Sequence, residues 1–418
     1  MQKIRRVVVT GLGALTPIGN NTQTYWENLV RGTSGAAPIT RFDASKHKTK
    51  FACELKNYHE EDHFDRKEAK KLDPCSQYAL VATKEAIEDA KLDLSKLDLE
   101  RIGVLWGTGI GGIKSIQDEI VTFAQADMVP RFSAFFITKM IANMPAGQIS
   151  IKYGLKGPNY VAVSACASAS NALISASHLI QLGLADVMVT GGSEAAVTPV
   201  AIGGFNVIRA LSERNEDPTT ASRPFDKDRD GFVLGEGAGA LILESYEHAI
   251  ARGAQIYAEV LGAGMSGEAY HITAPHPDGQ GAALVMKQAL KNAGISPQEI
   301  DYINVHGTST PLGDVSEVRA IQEIFQEHAY QLNISSTKSM TGHLLGAAGA
   351  IESIASILAM KHSIIPPTIN HFELDDTLDK NLNFTFDKAQ NREFSVVLNN
   401  SFGFGGHNTS VVFKKWID

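Results

Sequence analysis

Val161-Ala-Val-Ser-Ala-Cys166-Ala-Ser-Ala-Ser170 is the stretch on which the reading of this chain turns. An apolar, β-prone run from Tyr160 to Val163 gives way to small residues, so a strand is expected to break into an Ala-rich helix from Ala167 to Leu182. Cys166 then stands at a helix N-terminus, where unsatisfied amide N–H groups and the helix dipole favour an anion. A thiol in that position ionises more easily than a free cysteine and is a candidate nucleophile. A lone cysteine in an apolar segment is also an ordinary core residue, and the stretch by itself leaves both readings open.

The composition around it narrows the field. A chain of 418 residues that is 44% hydrophobic exceeds one small domain, and two lobes of similar size are expected. Its 38 basic and 46 acidic residues give a net charge of −8, which argues against coating nucleic acid or anionic membranes. Cys53, Cys75 and Cys166 lack metal-site spacing and suggest no disulfide framework, so a reduced, cytoplasmic protein is expected. Met1 to Thr10 runs into a strand without a signal-peptide pattern, and no apolar run reaches the ~20 residues that span a bilayer.

Several segments imitate familiar motifs. Gly11-Leu-Gly13, after strand-like Arg6 to Val9, resembles the start of a dinucleotide fingerprint, but Thr16 takes the third glycine position and Pro17 breaks the helix. It reads as a tight turn ending at Gly19. Strand Ile102 to Trp106 ends in Gly107-Thr-Gly-Ile-Gly-Gly112, which suggests close backbone packing and, without Lys-Ser/Thr, no phosphate loop. Ser222 to Glu236 mimics a calcium loop with its glutamate one residue early, and reads as a connection into strand Ala240 to Leu243. Asp65 to Asp73 is the densest basic run; on a helix, Arg66, Lys67, Lys70 and Lys71 share one side, and charge alone makes this a solvated face. Arg131-Phe-Ser-Ala-Phe-Phe136 is an aromatic cluster suited to a pocket or an interface.

After strand Ile256 to Leu261 the pattern restarts. Strand Ile300 to Val305 ends in His306-Gly-Thr-Ser-Thr310, strand Asn333 to Ser335 leads through Lys338 to His343 and helix Leu344 to Met360, and strand Val396 to Asn399 ends in Gly403-Phe404-Gly-Gly406. Gly107-Thr-Gly matches His306-Gly-Thr, the Cys166 elbow matches the His343 elbow, and Gly191-Gly-Ser matches Gly403-Phe-Gly-Gly. The repeated order of parts implies an internally duplicated α/β unit whose strand-end turns share one surface. Cys166, His306 and His343 would then converge. Each of these residues alone is ordinary, with a strand-end His as readily structural as catalytic and Lys338 by default a surface charge.

At these residues the chain resembles the β-ketoacyl-acyl-carrier-protein synthases of the thiolase superfamily, the elongating condensing enzymes of bacterial type II fatty-acid synthesis. The motifs run nearly end to end: Val8-Val-Thr-Gly-Leu-Gly13, Ser164-Ala-Cys-Ala167, Arg223-Pro-Phe-Asp to Gly237, His306-Gly-Thr-Ser-Thr-Pro311, Lys338-Ser-Met-Thr-Gly-His343 and Asn400-Ser-Phe-Gly-Phe-Gly-Gly406. The resemblance implies a thiolase-like, five-layered αβαβα fold, internally duplicated, with residues 1–254 carrying the nucleophile and residues 255–418 the two histidines. It implies a homodimer as well.

The resemblance also implies the chemistry. Cys166 takes an acyl group from a carrier protein's phosphopantetheine arm, with the N–H groups of Cys166 and Phe404 as an oxyanion hole. His306 and His343 stabilise the enolate formed when malonyl-carrier protein loses CO2, and Lys338 orders their side of the site. Thr308 and Thr310 hydrogen-bond the pantetheine arm, Phe404 gates the acyl pocket, and Ile110 with Phe136 of the partner subunit forms its floor. Lys67, Lys70 and Lys71 become candidates for docking the acidic acyl carrier protein, with Arg131 and Arg209 as further ones. No metal or cofactor of the protein's own is implied. A degradative thiolase would need a second Cys in the final Gly-rich turn, which here holds Phe404 and His407. Initiating synthases pair Cys with His and Asn, and chain-length-factor subunits lack the cysteine. A freestanding ketosynthase of a polyketide, polyene or specialised lipid pathway would carry the same residues, and an NAD-linked oxidoreductase would need the weak Gly11 fingerprint. His407 stands where the family commonly has Thr.

Overall fold

The computed structural model describes residues 4–417. The first half contributes strands β1 (Val7–Leu15), β2 (Ile102–Gly107), β3 (Asn159–Ala162), β4 (Val187–Glu194) and β5 (Gly237–Ser245), with helix α1 (Pro74–Asp89) after β1 and α2 (Ser168–Gln181) after β3. The second half contributes β6 (Ala258–Gly267), β7 (Tyr302–Asn304), β8 (Asn333–Ser335), β9 (Val396–Gly403) and β10 (His407–Lys415). Its helices are α3 (Gln280–Ala293), α4 (Pro311–Phe325) and α5 (Ala348–His362).

Hydrogen bonding orders the strands β3-β2-β4-β5-β1 in the first half and β8-β7-β9-β10-β6 in the second. The directions repeat too: β2 is parallel to β3 and β4, and β5 is antiparallel to its neighbours, as β7 is to β8 and β9 and as β10 is to its own. The halves join edge to edge through a short pairing, Val8 with Glu259 and Val9 with Ala258. Helices α2 and α5 pack on each other and on strands of both halves, while α1 covers the outer face of the first and α3 that of the second. This is the expected five-layered arrangement. With both faces covered, β4 and β5 are buried along their whole length, which is why they read as apolar runs rather than alternating ones. Helix α5 is buried from Ala348 to Met360, as a middle-layer helix must be.

Three sequence expectations change. Gly11 and Gly13 lie inside β1 rather than in a turn; a Cβ on Gly13 would stand 2.0 Å from Ala82 O of α1, so the glycines serve close helix-on-sheet packing. The tight turn is only Thr16 to Gly19, closed by reciprocal backbone hydrogen bonds of 2.8 and 3.1 Å. The elbow register also shifts. Turn Ala165–Ala167 before α2 corresponds to turn Leu345–Ala347 before α5, each opening on a left-handed residue, Ala165 (φ 49°) and Leu345 (φ 47°). The counterpart of Cys166 is therefore Gly346, and His343 enters just upstream of its turn. Finally, Gly191 and Gly192 sit within β4 opposite Ala240 and Gly239, so it is Glu194, not these glycines, that ends β4 as Gly403 ends β9.

One buried ionic cluster ties β1 to β5. The Glu244 carboxylate on β5 accepts hydrogen bonds from Thr10 Oγ1 of β1, from Arg252 Nε at 2.8 Å and from His248 Nδ1 at 2.5 Å. Burial alone would raise its pKa, but Arg252, His248 and Thr10 outweigh burial and hold it at about 2 against the ordinary 4.5. A folded-state pKa below the unfolded one gives stability that is present above pH 4.5 and lost as pH falls toward 2, on the order of 3 kcal/mol. Denaturant titrations across this window should show a larger acid loss for the wild type than for Glu244→Gln; parallel losses would contradict the assignment.

Candidate active site

The site is built where strand ends and helix starts of both halves meet. Cys166, at 7% exposure, lines a cavity of about 600 Å³ together with Ile110, His306, Thr308, Thr310, His343 and Phe404. The expected convergence of a front-half sulfur with two back-half imidazoles is thus present. The rings of His306 and His343 lie 5.3 Å apart at 85°. Thr308 and Thr310 share a hydroxyl hydrogen bond of 3.0 Å on the same wall.

The final Gly-rich turn sits directly on the elbow. A Cβ on Gly403 would stand 2.6 Å from Ser164 O and 3.2 Å from the Cys166 nitrogen, so only glycine lets the two turns touch. That approach brings the N–H of Phe404 to the Cys166 sulfur alongside the N–H of Cys166 itself. Two backbone N–H groups near one sulfur favour negative charge on or beside it.

The thiol itself differs from expectation. Burial pushes Cys166 up to about 12; the Lys338 charge and the two N–H groups pull down and Glu194 pushes up, and burial wins. The helix start therefore does not offset burial, and the resting group is the thiol. His306 and His343 are both driven well below 6.5, first by burial and then by the Lys338 charge, with His343 adding to the effect on His306. Both rings are neutral. In each, Nδ1 is buried and without a hydrogen-bond partner among the described residues, which leaves Nε2 as the edge available to a ligand.

Lys338 does not line the cavity. It lies beneath it at 1% exposure, with Nζ 2.5 Å from Glu352 Oε1 of α5. Burial raises Glu352 to about 7 against the opposing pull of Lys338. Sequence reasoning passed over Glu352 and two more buried carboxylates. Glu317 of α4 accepts the N–H groups of His306 and Gly307, each at 2.9 Å, and holds the histidine turn in place. Glu194 accepts the N–H groups of Gly109 and Gly346 at 2.7 and 2.9 Å. The available signal was an isolated acid in an otherwise apolar element, as with Glu352 within Leu344 to Met360.

Two further candidate groups lie outside the cavity. Phe136 does not line its own chain's cavity; it stacks on Phe132 at 5.4 Å in a segment whose Phe132, Phe135 and Ile137 are exposed. Lys67, Lys70 and Lys71 are exposed, but the helix there is the single turn Arg66–Ala69 capped by Asp65, so Lys70 and Lys71 follow it rather than share a helical face. Arg209, in contrast, lines the cavity.

Residues 4–249 match the N-terminal domain and residues 257–372 the C-terminal domain of beta-ketoacyl synthase. The chain belongs to the β-ketoacyl synthase family. It is 52% identical to a 3-oxoacyl-[acyl-carrier-protein] synthase 2 of Synechocystis sp. over 99% of this chain and 98% of that one. It is 50% identical to the protein of the same name in Staphylococcus aureus over the full length of both. Among solved structures it is similar to a β-ketoacyl synthase from Burkholderia phymatum and to a type II polyketide ketosynthase in complex with its acyl-carrier protein. Each is 34% identical with a TM-score of 0.91, covering 99% of this chain and 100% of the other.

Because burial and the Lys338 charge act together on the imidazoles, their ring NMR signals should stay in the neutral form from about pH 8 down to about pH 5. Titration of either ring near 6.5 would show that the cavity is wetter or less positive than this geometry requires.

Proposed function

We propose that this chain condenses an acyl group, held as a thioester on Cys166, with malonyl-acyl-carrier protein to give 3-oxoacyl-acyl-carrier protein and CO2, elongating fatty acids. The single observation supporting it is that one cavity holds Cys166, two neutral imidazoles and two N–H groups facing the sulfur. The identity of 50 to 52% to proteins named 3-oxoacyl-[acyl-carrier-protein] synthase 2, against 34% to a polyketide ketosynthase, favours elongation over a specialised pathway.

In the first half-reaction the Cys166 sulfur attacks the acyl thioester, and its proton leaves with the departing pantetheine thiol. The N–H groups of Cys166 and Phe404 hold the tetrahedral oxyanion, each such donor being typically worth ~3 kcal/mol. A thiol that is neutral at rest suits this order, since charge appears only where the donors already point. In the second, His306 and His343 donate through Nε2–H to the malonyl thioester oxygen, carrying the enolate as CO2 leaves. The enolate carbon then attacks acyl-Cys166, breaking its thioester bond, and the released thiolate takes a proton from solvent. Neutral rings are required, because an imidazolium would surrender its proton to the enolate. Lys338, paired with Glu352, keeps the rings neutral and orients their side of the cavity. Thr308 and Thr310 receive the pantetheine arm, and Phe404 gates the acyl pocket. The reaction uses no cofactor of the protein's own.

In this reading residues 1–254 and 255–418 are the two ketosynthase halves, and the protein works in the cytoplasm as a homodimer. Edge strand β3 exposes Tyr160 (44%) and is followed by exposed Val163 (57%), and these with the exposed apolar residues of Phe132 to Ile137 are surfaces a second copy would cover. That copy would bring Phe136 of the partner subunit to the pocket floor beside Ile110. Lys67, Lys70 and Lys71 dock the acidic carrier protein, with Arg209 at the cavity and Arg131 as further contacts.

Mass spectrometry after mixing with acyl-carrier proteins and malonyl-carrier protein should find the acyl adduct on Cys166 and products two carbons longer. Cys166→Ala should abolish both, and His306→Ala or His343→Ala should keep acylation while cutting condensation by about a hundredfold or more. An adduct on another residue would refute the scheme. Reversing the charge of all three lysines should raise the apparent KM for acyl-carrier protein about tenfold at low salt, with the difference fading at high salt; an unchanged KM would remove them from docking.

A further inference from the structure

The mechanism leaves without a role one fully buried acid behind the cavity wall, bonded to the backbone of the wall residues Gly109 and Ile110. Glu194 ends β4, and its hydrogen-bond partners are all neutral donors drawn from two different turns. Oε2 accepts from the Gly109 N–H at 2.7 Å and the Gly346 N–H at 2.9 Å. Oε1 accepts from the Ile110 N–H and the Thr108 hydroxyl, both at 3.2 Å. The turns are in direct contact: a Cβ on Gly346 would stand 2.1 Å from the Gly109 nitrogen. Gly109 in turn borders the elbow, its Cβ position lying 3.6 Å from Ala165 O.

The side chains these turns carry form the apolar wall beside the nucleophile. Ile110 and Leu345 pack in one cluster with Cys166, Ile202 and Phe232. Oε2 alone bridges the two turns while Oε1 holds Ile110 and Thr108 of the first, so both oxygens must accept; an amide of the same shape offers one acceptor and one donor. Burial of the acid is costly, and it raises Glu194 to about 7 against the pull of its donors. Its four hydrogen bonds fix the spacing of the two turns.

We propose that Glu194 is a specificity-determining positioning residue that sets the acyl chain length the cavity accepts, by fixing the backbone of Ile110 against that of the Leu345 turn. The inference rests on Cys166 carrying the acyl chain. In Glu194→Gln the amide NH2 must face either the Gly109 and Gly346 N–H groups or the Ile110 N–H and Thr108 hydroxyl. One side is released and the wall beside Ile110 loosens.

The test measures kcat/KM for acylation of Cys166 by short-, medium- and long-chain acyl-carrier proteins, with the product distribution, in the full-length wild type and in Glu194→Gln. The expected result is a rise of about fivefold or more in the long-to-short ratio. A uniform loss at every chain length, with the ratio unchanged, would make Glu194 a merely structural residue and overturn the proposal. Thr108→Val removes one donor and leaves the carboxylate; it should shift the ratio in the same direction by less. Should Glu194→Gln fail to fold, an unchanged ratio in Thr108→Val overturns the proposal. Absence of a wild-type adduct on Cys166 would instead defeat the reading beneath it, so the two failures are distinct.

Discussion

Back-to-back packing of α2 and α5 is the constraint on which the rest depends. Each helix follows a strand of its own half, and each begins at a turn opened by a left-handed residue, Ala165 or Leu345. When the two helices fill the middle layer, those turns are forced side by side at one end of it. The sulfur of one half then faces the imidazoles of the other. Small residues make this possible: Gly403 seats the last turn on the Cys166 elbow, and Gly346 lets the second elbow touch Gly109.

Burial then decides the electrostatics. The titratable groups around the cavity are buried, and burial pushes each toward its neutral form. Cys166 rises, His306 and His343 fall, and Glu194, Glu317 and Glu352 rise to about 7. Lys338, buried on Glu352, adds a charge that disfavours protonation of both rings and eases ionisation of the sulfur. The Cys166 thiol and both imidazoles are therefore neutral at rest, beside backbone N–H groups that favour negative charge at the sulfur. That arrangement suits a reaction passing through an oxyanion and an enolate better than one needing a standing thiolate.

Much of this was legible in residues. Apolar runs bounded by glycine mark most of the strands, and the restart at Ile256 marks the duplication without reference to any contact. What misled was register. Gly191-Gly192 looks like a strand-end turn and is strand interior, and His343 looks like the elbow although Gly346 is. Local composition is alike in a turn and in a tightly packed strand; only the neighbour across the gap distinguishes them. The basic run Arg66 to Lys71 likewise suggested a helical face, where capping by Asp65 supports one turn.

The sequence by itself determined the duplicated order of strands and helices, the family, and Cys166, His306 and His343 as residues to be gathered. Those follow from patterning and from motifs, which are local. Only the tertiary structure decided the state of the thiol, the seating of Lys338 on Glu352 rather than at the cavity, and the part of Glu194 as a clamp between Gly109 and Gly346. These depend on how much water is excluded and on which N–H groups, distant in the chain, meet one carboxylate. Neither quantity is written in any single stretch of residues.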